Sequence, residues 1–148
     1  MLYEGLMMTN KMDVSVFASH MDYFGYTSEL YEEGNGFRAE HEFYGTVFVA
    51  AWGQGLLVTT YWYISDDASR HDVELLTIMN EINQSSLLSK FSVNDDDALQ
   101  VDAYFAGQYS QITFGEFLDA FHQDNVRVLK DNVEFKAYKE QQKLSSVN

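Results

Sequence analysis

The sequence predicts an α+β fold in which an antiparallel sheet is flanked by helices, in the order α-β-β-β-α-β-β-α. Three observations predict it. Apolar residues recur at three-to-four-residue spacing in three segments, whereas five others alternate or are dense in β-branched and aromatic side chains. Turn sequences such as Gly53-Gln54-Gly55 and Asn94-Asp95-Asp96-Asp97 join strand-like runs closely, as hairpins do and crossovers cannot. The 148 residues are 46% hydrophobic and 16% aromatic, enough for one domain over 1–148 with a real core. Residues 1–12 and 140–148 lie outside the periodic segments and read as peripheral.

The first helix is expected from Asp13 to Phe24. Val14, Phe17, Ala18, Met21 and Phe24 share one face, Asp13 can accept from the free N–H groups of the first turn, and Gly25 can stop the helix. The polar stretch from Ser28 to Gly36 reads as a connection. Strands follow at Phe37–Phe43, Tyr44–Trp52 and Leu56–Ile64, where β-branched and aromatic residues dominate. With Gln54-Gly55 as a two-residue turn, Phe48, Trp52, Tyr61 and Tyr63 share one face, and Val47, Val49, Val58 and Trp62 the other. A three-residue loop would mix these sets. In either register both faces are largely apolar, so both need a cover.

Asp66-Asp67-Ala68-Ser69 leads into a second helix, about Arg70 to Gln84, whose stripe of Leu75, Leu76, Met79 and Ile82 is broadened by Val73 and Ile78. Leu88–Asn94 and Ala98–Phe105 form the clearest alternating hairpin. With a loop of three or five residues, Phe91, Val93, Leu99, Val101, Ala103 and Phe105 fall on one face, and Lys90, Ser92, Gln100, Asp102 and Tyr104 on a wet one. Thr113-Phe114-Gly115-Glu116 reads as a capping box for a third helix with Phe114, Phe117, Leu118, Phe121, Asn125, Val128 and Leu129 on its stripe.

Composition excludes several functions. Nine basic against 23 acidic residues leave a net charge of −14, which repels phosphate backbones and anionic lipid, so neither nucleic acid nor membrane is an expected partner. Without Cys there is no disulfide, thiolate nucleophile or zinc–thiolate site, in keeping with a reducing cytoplasm. The first residues lack the basic and continuous apolar regions of a signal peptide. His20, His41, His71 and His122 are scattered, and no H-E-x-x-H spacing, nucleophile elbow or phosphate loop is present. Glu40 and Glu42 flank His41 on a strand and so point away from it. Asn94 to Asp97 lacks the twelve-residue calcium pattern and suits a hairpin loop, because Asn and Asp tolerate left-handed backbone and bond to it. No catalytic residue, metal or cofactor is therefore assigned.

Met79-Asn80-Glu81-Ile82-Asn83, Leu88-Ser89-Lys90-Phe91-Ser92-Val93, the acidic turn Asn94–Asp97, the strand Ala98–Phe105 and the helix Thr113–Phe121 together resemble the YbjN-like family, labelled a bacterial sensory-transduction regulator. That family is similar in fold to the type III secretion chaperones. In element order the resemblance covers about Asp13 to Leu129, and residue by residue Ile78–Phe121. It implies a small, acidic, cytoplasmic homodimer that binds a segment of another protein, and it carries no catalytic residue set.

The aromatic hairpin is the one feature beyond routine core chemistry. Packing beneath the helices would account for it, but Tyr and Trp are also enriched at contact surfaces, and a sheet apolar on both sides needs a second cover. The sequence thus points to a non-catalytic protein-binding module, with Phe48, Trp52, Tyr61, Trp62 and Tyr63 as partner-binding residues. The competing expectation is a small-molecule-binding protein or hydrolase using His and carboxylate groups in a pocket.

Overall fold

Asp13 opens the first helix in the computed structural model, which describes residues 12–136. Its Oδ1 accepts from the Ser15 N–H at 3.1 Å and the Ser15 hydroxyl at 2.6 Å, and these bonds hold the Asp13 carboxyl below the ordinary carboxylate range. Helix α1 (Val14–Tyr23) buries Val14, Phe17, Ala18, His20 and Met21. Gly25 then takes φ of +98°, the left-handed conformation that Gly adopts at least cost. The expectation of peripheral ends at 1–12 and 140–148 falls, Met12 apart, outside the described residues.

Strands β1 (Thr27–Leu30), β2 (Gly36–His41), β3 (Gly45–Trp52) and β4 (Gly55–Trp62) precede helix α2 (Val73–Ser85). Strands β5 (Lys90–Val93) and β6 (Leu99–Ala106), helix α3 (Gln111–Gln123) and a π-helical segment, Asp124–Lys130, complete the order. The strands form one six-stranded antiparallel sheet, β1-β2-β3-β4-β6-β5, accompanied by helices, which is the expected α+β class. Strand β1 occupies part of what the sequence shows as a polar connection. It pairs with β2 from Thr27↔Glu40 to Leu30↔Phe37, yet none of its side chains is buried, so no hydrophobic period marks it. Asp22 closes its outer edge by accepting the Ser28 N–H at 2.9 Å.

The chain packs into two compact units whose bounds fall within β4, β6 and α3. In the unit made of residues up to Val58 with Tyr104–Phe117, Phe17 lies edge-on to Phe105 (5.7 Å between centroids) and to Phe114 (4.8 Å). Phe37↔Val49 and Ala39↔Val47 are buried cross-strand pairs, while Arg38↔Phe48 lies on the other face. Helix α3 begins before the expected capping box. Ser110 accepts the Thr113 N–H on its hydroxyl (3.4 Å) and the Phe114 N–H on its carbonyl (2.8 Å), leaving Thr113 inside the first turn.

In the unit made of Thr59–Ala103 with residues from Leu118, α2 buries Leu75, Ile78, Met79 and Ile82, whereas Val73 and Leu76 are exposed. Its N-cap is Asp72, whose carboxylate accepts from Glu74 and Leu75. The β5–β6 register runs from Lys90↔Asp102 to Val93↔Leu99, which is the alternation the sequence shows for a three-residue loop. Asn94 Oδ1 accepts from Asp96 and Ala98, Asp97 takes φ of +59°, and Asp95 and Asp97 bond the side chain and backbone of Arg70. The acidic run is a turn tied to the loop before α2. Asn83 on α2 closes the β5 edge with two bonds, accepting the Phe91 N–H at 2.7 Å and donating to its carbonyl at 2.9 Å.

Candidate functional site

Helix α1 packs against β1 and β2, and Phe37, Ala39, Val47 and Val49 are buried on one face of the sheet. Alternation therefore turns Phe48, Ala50 and Trp52 to the opposite face, where Trp52 is 66% exposed and Phe48 half-buried. Tyr104 on β6, 43% exposed, meets Trp52 edge-on with centroids 5.7 Å apart, and its hydroxyl donates to the Trp52 carbonyl at 3.2 Å. The bond to the Trp52 main chain orients the Tyr104 ring, which limits the side-chain entropy that this residue would lose in a contact. Sequence alternation puts Tyr104 on the wet face but gives no reason to single it out, because its link to Trp52 spans 52 residues.

Tyr61, Trp62 and Tyr63 belong to the second unit. Tyr61 and Tyr63 are exposed, whereas Trp62 is half-buried and donates its indole N–H to Asn125 Oδ1 at 2.8 Å. On the wet face of this unit, Thr59 donates to Asp102 at 2.8 Å, and Gln100 donates to both Asp102 oxygens at 3.1 and 2.9 Å. The hairpin loop is Gly53-Gln54 rather than Gln54-Gly55, a two-residue loop one position earlier in the chain.

Three of the four His lie on three different elements and the fourth in a loop. His41 Nδ1 accepts from the backbone N–H groups of Phe43 and Tyr44, His71 precedes α2 at the surface, and His122 lies on α3 beside Phe121. His20 is only 7% exposed, with Nδ1 2.9 Å from the Tyr109 hydroxyl and the ring stacked on Phe24 and edge-on to Phe114. Its Nε2 has no hydrogen-bond partner among the described residues. Burial pushes the His20 pKa below 6.5, because the charged ring is poorly solvated there. The unfolded chain then binds the proton more readily than the folded one, so stability is full above the unfolded value and falls as pH drops through 6.5 towards the folded value. Urea midpoints measured at pH 7.5 and pH 5 are expected to fall more for the native chain than for His20→Phe. Equal changes in the two proteins would show that His20 does not contribute to the pH dependence.

A cleft of about 440 Å³ opens in the second unit between the end of α2 and the π-helical segment. Asp124 is fully buried at its edge, with Oδ1 accepting from Leu87 N (2.7 Å) and Oδ2 from Leu88 N (3.1 Å) and Ser89 N (2.9 Å). No His enters the lining, and among the described residues no group of three or more His, Asp and Glu is arranged to hold a metal ion. Among the described residues, no helix is long and apolar enough to cross a membrane. No protein-family model matches the chain, and no curated protein matches it.

Proposed function

We propose that the chain is a non-catalytic protein-binding module, chaperone-like or regulatory, acting in the cytoplasm as a homodimer. Its partner is an extended apolar segment flanked by basic residues. The observation that carries this reading is the Trp52–Tyr104 pair, two large exposed rings in edge-on contact on the sheet face opposite Phe37 and Val49. Aromatic anchors of this kind supply much of the energy of protein contacts. The −14 charge selects for basic flanks and repels acidic competitors. The YbjN-like resemblance and its chaperone-like fold agree with this reading. His20, the most buried of the four His, is bonded to a tyrosine rather than a carboxylate, so this residue does not form the His–carboxylate pair a hydrolase would use.

The test uses Trp52 as its own reporter in a Trp62→Phe background. A lysine-flanked apolar peptide is expected to shift its fluorescence saturably, and Trp52→Ala, read with a labelled peptide, to weaken binding by about 2 kcal/mol, roughly 30-fold, with little loss of stability. Equal binding of a glutamate-flanked peptide, or unchanged binding by Trp52→Ala, would contradict the reading. Light scattering should give twice the 17.0 kDa chain mass at micromolar concentration; a monomer mass would remove the homodimer.

A further inference from the structure

The π-helical segment Asp124–Lys130 is seven residues long, and three side-chain arrangements hold it in place. Asn125 donates to the Phe121 carbonyl at 2.9 Å and accepts the Trp62 indole N–H at 2.8 Å, while Asp124 secures the 87–89 backbone. Helices of this type are rare and occur mostly as single turns, often at functional sites. Here the segment forms one wall of the 440 Å³ cleft and places Arg127 in its lining.

Arg127 differs from the other two arginines of the chain. Arg38 pairs with Glu40 and Arg70 with Asp95, whereas Arg127 has no carboxylate within ion-pair distance among the described residues. Its guanidinium donates only to Gln123 Oε1, at 3.3 Å, a neutral acceptor one turn away. The nearest carboxylate in the lining, Asp124, directs its oxygens to the three backbone N–H groups of 87–89. Beside this unspent cation lie Ile82, Val128 and Leu87, the last 63% exposed, and Asn132 completes a polar rim. An accessible apolar side chain, a free guanidinium and a concave wall suit a ligand with a carboxylate at one end and hydrocarbon at the other.

We propose that this cleft binds a small monocarboxylate carrying a short apolar tail, with Arg127 taking the carboxylate and Leu87, Ile82 and Val128 the tail. On a protein of net charge −14 an anion is held only where a local cation is unpaired, so Arg127 sets both the position and the sign preference of the site. The inference is independent of the aromatic anchor, since the two share no residue.

The same end-group chemistry occurs in free alkanoic acids and at peptide chain ends, so two probes are titrated and followed by amide NMR: octanoate and N-acetyl-leucine. Saturable shifts confined to residues 85–89 and 123–132 are expected for at least one, and the probe that binds more tightly identifies the source. The matching neutral compounds, octanamide and N-acetyl-leucinamide, should bind at least tenfold more weakly. Arg127→Gln should abolish the preference for acid over amide, and Leu87→Ser should weaken both members of each pair. Both side chains reach solvent, and unchanged NMR dispersion would confirm that these variants fold. Absence of saturable shifts at millimolar probe, equal binding of acid and amide to the native chain, or an acid preference retained by Arg127→Gln would overturn the proposal.

Discussion

Asp124→Ala is expected to lower the free energy of unfolding by about 3–5 kcal/mol, because it orphans three backbone donors at once. The carboxylate has no exposed surface, and all three of its partners lie within the single turn 87–89 that leads into β5. A buried N–H without an acceptor costs roughly 1–3 kcal/mol. Water entering from the adjacent cleft can recover part of that, which sets the lower end of the range. Asp124→Asn should fall between native and Ala, since its remaining oxygen can accept but its amide nitrogen presents hydrogens to N–H groups. Urea denaturation with a matched slope measures the difference. A loss below about 1 kcal/mol for Asp124→Ala would mean that the 87–89 turn does not depend on the carboxylate.

The Asp124 latch also marks where the sequence stops being informative. The caps at Asp13 and the turn at Asn94–Asp97 were legible because donor and acceptor lie within a few residues, so local chemistry suffices. The two faces of the β5–β6 hairpin were legible because alternation is a local period. Strand β1 was not, since it is fixed by pairing with β2 and buries none of its side chains. The third helix starts earlier than its capping-box pattern indicates because Ser110, outside that pattern, reaches the free amides first. Asp124 and its partners are separated by 35 to 37 residues, and no spacing rule connects them. The same holds for the candidate residues of the two proposals: Trp52 could be put forward from its chemistry, whereas Tyr104 and Arg127 become candidates only from what the fold places beside them.

Gly55→Ala is expected to cost about 3 kcal/mol and to abolish peptide capture at the aromatic pair, two effects with one steric cause. A Cβ at Gly55 would stand 2.1 Å from the Phe105 carbonyl oxygen, 2.6 Å from the Tyr104 hydroxyl and 2.7 Å from its Cζ. The φ of Gly55 is not in the left-handed region, so the obstacle is contact rather than backbone preference. The closest atom belongs to the backbone of β6 and cannot rotate away, so the strand itself must shift. Tyr104 rides on that strand and lies over Gly55 to reach the Trp52 carbonyl, so the shift breaks the 3.2 Å bond that orients Tyr104 beside Trp52. A double-mutant cycle with Tyr104→Ala separates the two clashes. Removing the ring leaves the 2.1 Å backbone contact in place, so Gly55→Ala should remain destabilising by more than about 1 kcal/mol in the Tyr104→Ala background. Full rescue by Tyr104→Ala would instead show that only the ring resists the added methyl, and that the approach of Gly55 to β6 serves the aromatic anchor rather than the sheet.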